Sequence, residues 1–196
     1  NFFTDNGATT VSGIFDPRII YDPSVDRWFA AAINGGASST REGNDIYVAV
    51  SNSGDPTAGW QTVQFVGDTI DGTRFNDYDT FGVDADGVYL ATNNFIRVGP
   101  NAGGFDVSFY TIPKVDLLAA TPTIANLSRF EALNSGTAGS SVQPVVDFSG
   151  TSDDTATFLG NGPSGLLFRT DVTGVTGPNA TLGASVSLVV PAFSSA

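Results

Sequence analysis

A pattern of four short apolar runs recurs three times along this chain of 196 residues. The runs are rich in Val, Ile, Tyr, Phe and Thr and are bounded by Gly, Pro, Asn and Asp, which is typical of β-strands joined by turns. Helical periodicity is confined to a single turn at 114–120, KVDLLAA. The sequence therefore predicts an all-β fold made of three four-stranded antiparallel units, which cover residues 14–66, 77–133 and 142–193.

The ordered recurrence of the four runs favours β-propeller blades over a β-sandwich. Blades repeat one four-stranded meander, whereas a sandwich usually distributes its strands between two sheets. The predicted first strands are RIIYD (18–22), TFGVD (80–84) and PVVDF (144–148), and residues 1–13 are expected to supply the outer strand of a preceding blade. Propellers close with about four to eight blades. Three units therefore predict further blades, either in a longer polypeptide or in associated copies of the same protein.

The formal net charge of −12 limits the classes of molecule that the protein is expected to bind. A surface this acidic repels phosphate backbones, so nucleic-acid binding is not expected, whereas carboxylates are the ligands that Ca²⁺ prefers. The sequence also has no apolar run approaching the ~20 residues that cross a bilayer, so no membrane span is predicted.

The chain contains no Cys, no His and no Met. Thiol nucleophiles, thiolate zinc sites and a Ser-His-Asp triad are therefore excluded within it. Together with abundant Gly, Ser, Thr, Ala and Asp, these absences resemble the composition of exported bacterial surface proteins. The expected location is extracellular or at the bacterial cell surface.

Three stretches resemble exported bacterial sialidase-like, Asp-box-like β-propeller proteins: FDPRIIYDPSVDRWFAAA, IYVAVSNSGDPTAGW and DYDTFGVDADGVYLATNNF. The resemblance covers residues 14–95, and the third unit follows it by pattern only. SGDPTAGW (53–60) is similar to the Ser-x-Asp-x-Gly-x-x-Trp box that joins the third and fourth strands of such blades, although it has an extra residue before Gly59. The resemblance implies that Asp55 caps this turn and that Trp60 packs between strands.

A catalytic sialidase also has an arginine trio and a Tyr-Glu pair. Here the resemblance offers Arg18 alone, because neither Glu42 nor Glu131 pairs obviously with a tyrosine in the sequence. It therefore implies the fold more than the activity.

The predicted strand order divides the turns and loops between two faces. Short turns join strands 1 and 2 of each unit, and the longer loops lie at the opposite face, where binding residues are commonly found. Asp84 and Asp86 fall in a short turn, and their Asp-x-Asp-Gly sequence predicts a hairpin rather than a Ca²⁺ loop.

Carboxylates and amides converge at the predicted long-loop face. Open hairpin ends should bring Asp79 near Asn93 and Asp16 near Asn34, while the third unit offers only Gln143 near Asn161. Such groups bind Ca²⁺ or sugar hydroxyls, or alternatively cap the ends of the sheets. The candidate ligand-binding residues are Asp16, Asn34, Asp77, Asp79, Asn93 and Asn94, with Asp77 and Asp79 as metal ligands.

The sequence favours an exported, non-catalytic β-propeller that acts in cell-surface assembly or carbohydrate adhesion. The alternative is a sialidase-like glycoside hydrolase whose remaining catalytic residues lie outside this chain, with paired carboxylates as acid and base. The catalytic candidates in that case are Asp16, Arg18, Asp77 and Asp79. The partners expected are glycans and further blades or copies of the protein.

Overall fold

The computed structural model describes residues 2–9, 13–36, 39–163 and 165–191. Over these residues the protein is all-β, with three antiparallel sheets and three one-turn helices. Sheet 1 contains β1 (Ile14–Asp22), β2 (Arg27–Asn34), β3 (Asp45–Ser51) and β4 (Trp60–Val66). Sheet 2 contains β5 (Arg74–Val83), β6 (Gly87–Ile96), β7 (Phe105–Pro113) and β8 (Ser128–Leu133). Sheet 3 contains β9 (Ser140–Pro144), β10 (Thr155–Asn161), β11 (Leu166–Thr173), β12 (Thr181–Leu182) and β13 (Val186–Val189).

Sheets 1 and 2 are four-stranded meanders in which each strand pairs with the next. In sheet 3 the fourth position is divided, because β12 and β13 both pair with β11. The prediction of an all-β fold with three four-stranded antiparallel units is confirmed. Only part of the last predicted strand (184–193) is paired, and its final residues lie outside the described ones.

The helices are α1 (Phe2–Asp5), α2 (Lys114–Leu117) and α3 (Ser135–Ala138). The helical turn predicted at 114–120 is confirmed by α2. The prediction of an outer strand over 1–13 is wrong for Phe2–Asp5, which is helical. Its Phe3 is only 4% exposed and packs with Ala8 on sheet 1, so this segment covers a face of the sheet instead of extending a neighbouring one.

The first strand of the third unit lies earlier than predicted. Strand β9 ends at Pro144, and the predicted PVVDF strand leaves the sheet at this point. The Val145 amide still donates to the carbonyl of Thr157 at 2.8 Å, but the Asp147 amide donates to Val83 of sheet 2 at 3.0 Å. The segment therefore crosses from sheet 3 to sheet 2, and Phe148 remains half exposed.

Each first strand has an aspartate at its end or within three residues after it, and the carboxylate of this aspartate caps the following turn. The Oδ1 atoms of Asp22, Asp84 and Asp147 accept the amide hydrogens of Ser24, Asp86 and Ser149 at 2.9, 2.8 and 2.7 Å. This local hydrogen bond is the reason that Asp is favoured in turns. The hairpin interpretation of Asp84 and Asp86 is confirmed.

The three sheets stack face to face in the order of the chain. One apolar cluster joins sheets 1 and 2, and a second joins sheets 2 and 3, where the rings of Phe109 and Phe158 stack with their centroids 4.4 Å apart. A third cluster lies between sheet 1 and residues 2–9. The outer strand of sheet 3 remains open to solvent, with Val186 exposed by 56% and Leu188 by 38%.

Buried polar groups join the sheets as well as apolar ones. Asn44, in the loop directly before β3, donates through its side chain to the carbonyl of Asn76 and accepts the Asn76 amide hydrogen, both at 2.8 Å, and so binds the backbone of β5. Lys114, which follows β7, reaches Asp22 of sheet 1 at 2.6 Å.

No helix within the described ranges is long and apolar enough to cross a membrane.

Candidate functional site

Each first strand carries a β-bulge at the same place. The pairing register shifts within β1, β5 and β9, so that two residues there oppose one on the neighbouring strand. The first residue of each bulge has a left-handed backbone, with φ of 52° at Asp16, 50° at Tyr78 and 47° at Ser141. This conformation costs a residue with a side chain roughly 1–2 kcal/mol. Strain repeated at equivalent positions is a reason to look for function there.

The bulges adjoin one another because β5 lies against both β1 and β9. Arg18 donates through Nε to the carbonyl of Asp79 at 3.0 Å, and Thr80 donates through Oγ1 to the carbonyl of Val142 at 2.5 Å. A cavity of about 160 Å³ lies between the strands, lined by Arg18, Ile19, Ile20, Thr80, Phe81 and Gln143. We call the following residues the bulge site: Asp16, Arg18, Asp77, Tyr78, Asp79 and Ser141.

Asp79 is the most unusual residue of this site. Its side chain is fully buried, and neither carboxylate oxygen has a hydrogen-bond partner. Burial raises the pKa of Asp79 to about 7, which the Arg18 guanidinium opposes and the nearby carboxylates of Asp16 and Asp77 reinforce. The carboxyl group is therefore neutral in mildly acidic solution, where an ordinary aspartate is charged.

Asp77 and Asn93 lie directly opposite each other on β5 and β6. Asp77, and not Asp79, is the direct partner of Asn93, because the extra residue of the bulge shifts the register and places Asp79 one position away. The same shift places Ile14, not Asp16, opposite Asn34. Asn93 also joins the bulges, since its Oδ1 accepts the amide hydrogen of Ser141 at 2.9 Å.

Asn34 and Asn94 occupy equivalent positions and are buried, with exposures of 1% and 0%. Asn94 donates through Nδ2 to Asp106 on the next strand at 2.7 Å, and Asn34 donates to Tyr47 at 2.8 Å and to Asp45 at 3.2 Å. Their burial opposes contact with a ligand and favours the alternative in which they hold the ends of the sheets together.

Tyr78 belongs to the site, although the sequence reasoning missed it. Its side chain is 42% exposed, and the Arg18 guanidinium lies 5.6 Å from the centre of its ring. The signal in the sequence is an aromatic residue between two aspartates, in NDYD. It was hidden because a tyrosine in a strand is more often part of the core.

The described ranges contain no group of three or more acidic side chains that could hold a metal ion. Asp77, one of the two predicted metal ligands, accepts the amide hydrogen of Tyr78 at 2.9 Å, and Asp79 is buried. The Ca²⁺ site stays a prediction, and a melting temperature unchanged by chelation would contradict it.

The turn at SGDPTAGW is organised by Asp55, as the resemblance implies. Its Oδ1 accepts the amide hydrogen of Thr57 at 2.8 Å, and its carbonyl accepts that of Ala58 at 3.1 Å. Trp60 begins β4 and packs against Phe2, with ring centroids 5.0 Å apart. Asp55 therefore has a structural role within its own turn, whereas Trp60 also lines a cavity of about 300 Å³ together with Pro17 and Arg18, beside the bulge site.

Comparison with known proteins adds no assignment. No family model matches the chain, and no curated protein and no solved structure shows significant similarity to it.

Proposed function

We propose that the chain forms blades of an exported, non-catalytic β-propeller that binds carbohydrate through the bulge site. The stacking of sheets 1, 2 and 3 in chain order supports the propeller. Blades surround a central channel, and the adjoining strands β1, β5 and β9 would line it. Further blades or copies would complete the ring.

The exposed ring of Tyr78 is the observation that supports carbohydrate as the class of ligand. A strained backbone and the guanidinium of Arg18 hold this ring at the surface. Sugars combine an apolar ring face with hydroxyl groups, so an aromatic side chain beside hydrogen-bond acceptors suits them. Exposed Asp16 and half-buried Asp77 supply carboxylate acceptors next to the ring.

The experiment is a glycan array followed by calorimetry on Tyr78→Ala and Tyr78→Phe. We expect Tyr78→Ala to lose binding by about tenfold or more, because a buried aromatic contact contributes on the order of 1–3 kcal/mol. Tyr78→Phe keeps the ring and should retain most of the affinity.

Tyr21→Ala is the matched control. Tyr21 is an exposed tyrosine (37%) that packs on Trp28 beside the turn between β1 and β2, away from the bulges. Equal affinities of the Tyr21→Ala and Tyr78→Ala proteins would contradict the proposed site.

The glycoside hydrolase is retained as the second candidate because of the raised pKa of Asp79. A carboxyl group with a pKa of about 7 is suited to donate a proton near neutral pH. Its complete burial opposes this role, since a general acid must reach the glycosidic oxygen. Release of reducing sugar by the wild-type protein, and its loss in Asp79→Asn, would replace the binding proposal by the hydrolase.

We also propose that copies or further blades cover the open side of sheet 3. Exposed Val186 and Leu188 on its outer strand support such an interface, because an uncovered apolar strand edge favours association. A purified chain that sediments as a monomer at high concentration would contradict association of copies.

A further inference from the structure

Two arginines from different sheets converge on one buried aromatic ring. Arg41 lies in the loop between β2 and β3, and Arg97 directly follows β6. Their guanidinium carbons lie 5.9 and 5.4 Å from the ring centre of Phe75, which is 2% exposed. Arg41 also lies 5.9 Å from Phe15, and Arg97 lies 5.4 Å from Phe95. Cation–π contacts of this kind fix the planes of both guanidinium groups.

The arginine pair is open to solvent. Both side chains are exposed, and together with Ser39 and Thr40 they line a cavity of about 350 Å³. A volume of this size is at the lower end of the range for small-ligand sites. The Ser39 hydroxyl adds a neutral hydrogen-bond donor to the two cations, whereas the Thr40 hydroxyl donates to Glu42.

The charge of this pair is unusual for so acidic a protein. The chain has only 8 basic residues against 20 acidic ones, and several of the basic ones are paired with carboxylates, among them Arg74, Lys114 and Arg169. The guanidinium of Arg97 makes no hydrogen bond and no ion pair within the described residues. Two cations that contact one ring and line one cavity favour an anion in that cavity.

The pair adjoins the bulge site. Phe15 directly precedes Asp16 in β1, and Phe75 precedes Asp77 by two positions in β5. A ligand that lies on Tyr78 and extends along these strands therefore meets the arginines next. The carboxylate of Glu42 accepts a hydrogen bond from Thr40, one of the residues that line the cavity, and disfavours anions beside it.

We propose that Arg41 and Arg97 bind the anionic substituent of an acidic glycan, and this inference rests on the carbohydrate binding proposed above. The planar guanidinium fork matches the oxygens of a carboxylate or a sulfate ester. The net charge of −12 repels a polyanion at a distance. That repulsion is screened beyond about 8 Å at physiological salt, whereas the contact with the arginines is not.

The test compares dextran sulfate with unsulfated dextran, which share a backbone, and adds polygalacturonate as a source of carboxylates. Binding is measured at physiological salt on the wild-type protein and on Arg97→Gln and Arg41→Gln. We expect the wild-type protein to prefer at least one acidic polymer over dextran by about tenfold, since hydrogen bonds to charged groups are the strong ones. Each variant should lose that preference, and the two acidic polymers tell sulfate from carboxylate recognition.

Arg169→Gln is the matched control, because it removes the same charge from an exposed position on sheet 3. Arg97→Lys keeps the charge without the fork and should retain part of the preference. Wild-type affinities that are equal for dextran sulfate, polygalacturonate and dextran would overturn the inference, as would an Arg97→Gln protein that keeps the preference or an Arg169→Gln protein that loses it equally.

The same measurements separate this inference from the proposal on which it rests. Tyr78→Ala should weaken all the polymers that bind, whereas Arg97→Gln should weaken only the acidic ones. If Arg97→Gln abolishes binding of the acidic polymers while Tyr78→Ala changes nothing, carbohydrate binding at the bulge site is contradicted and anion binding by Arg41 and Arg97 is supported. If Tyr78→Ala abolishes binding of a neutral glycan and the wild-type protein shows no preference for acidic polymers, anion binding by Arg41 and Arg97 is contradicted and the bulge site is supported.

Discussion

Asp79 shows how a residue can be found from sequence while its role cannot. Its place in NDYD marks it as a polar residue at the end of an apolar strand, and this brought it into the candidate set. Its burial and the raised pKa follow from the packing of β1 and β9 against β5, which are long-range contacts. Sequence spacing contains no information on such contacts.

The first prediction concerns the stability of the protein between pH 5 and pH 8. The pKa of Asp79 is about 7 in the folded protein and near 3.8 when unfolded, so folding binds a proton between pH ~4 and pH ~7. The stabilisation is complete below pH ~4 and is lost as the pH rises through ~7, by at most about 4 kcal/mol. Urea unfolding at pH 5 and pH 8 measures the part of this loss that falls above pH 5, at most about 3 kcal/mol.

Asp79→Asn isolates this contribution, because the amide has the shape of the neutral acid and does not titrate. Burial also raises the pKa of Asp45 and of Asp84, and both groups are unchanged in the variant. The difference in stability between wild type and Asp79→Asn should therefore favour the variant more strongly at pH 8 than at pH 5. A difference independent of pH would contradict the assignment.

At the scale of elements, strand periodicity was a good guide wherever the strand lies within a sheet. WQTVQFV and RWFAAAIN form β4 and β2 over the same residues that the sequence indicates. PVVDF misled because its apolar residues bridge two sheets, while the polar SSVQ before it forms the paired strand. Residues 2–9 misled because an apolar segment can cover a sheet face as well as extend a sheet.

The bulges could not be predicted, since none of their left-handed residues is a glycine. Asp16, Tyr78 and Ser141 adopt this backbone because the strands on either side fix it. The register of each first strand, and with it the neighbours of every candidate residue, depends on this extra residue. This is why Asp77 and Ile14, rather than Asp79 and Asp16, lie directly opposite Asn93 and Asn34.

A second prediction compares Asp16→Gly with Asp16→Ala. Both substitutions remove the carboxylate, but only glycine relieves the left-handed strain at φ 52°. We expect the glycine variant to be more stable than the alanine variant by about 1 kcal/mol. Urea unfolding of the two proteins measures the difference, and an alanine variant as stable as the glycine one would show that the bulge is not strained.

At the scale of the whole molecule, the order of the three sheets followed from the repeat, whereas the way they are joined did not. Asn44 shows the reason, because it is one asparagine among many in the loops and nothing in its surroundings marks it. It is fully buried and bonds to the backbone of Asn34 and of Asn76. The contact between sheets 1 and 2 therefore depends on a side chain that the pattern does not distinguish.

A third prediction is that Asn44→Ala destabilises the protein by roughly 2–4 kcal/mol. The substitution leaves the amide of Asn76 and two carbonyls buried without partners, and each such group costs about 1–3 kcal/mol when relaxation and water do not compensate. The free energy of unfolding in urea measures the loss. Asn52→Ala is the control, since Asn52 is an exposed loop residue that bonds within its own turn. Equal losses in the two variants would contradict a special role for Asn44.

The burial of Asp79 also has a kinetic consequence. Because this carboxyl group is fully buried on β5, which packs against β1, it exchanges protons with solvent only when water enters between these two strands. Titration of this group is therefore limited by how often the two strands separate, and local openings of this kind are far slower than proton transfer in water. After a sudden change of pH, the delay before Asp79 changes its protonation state therefore measures the rate at which these two strands open.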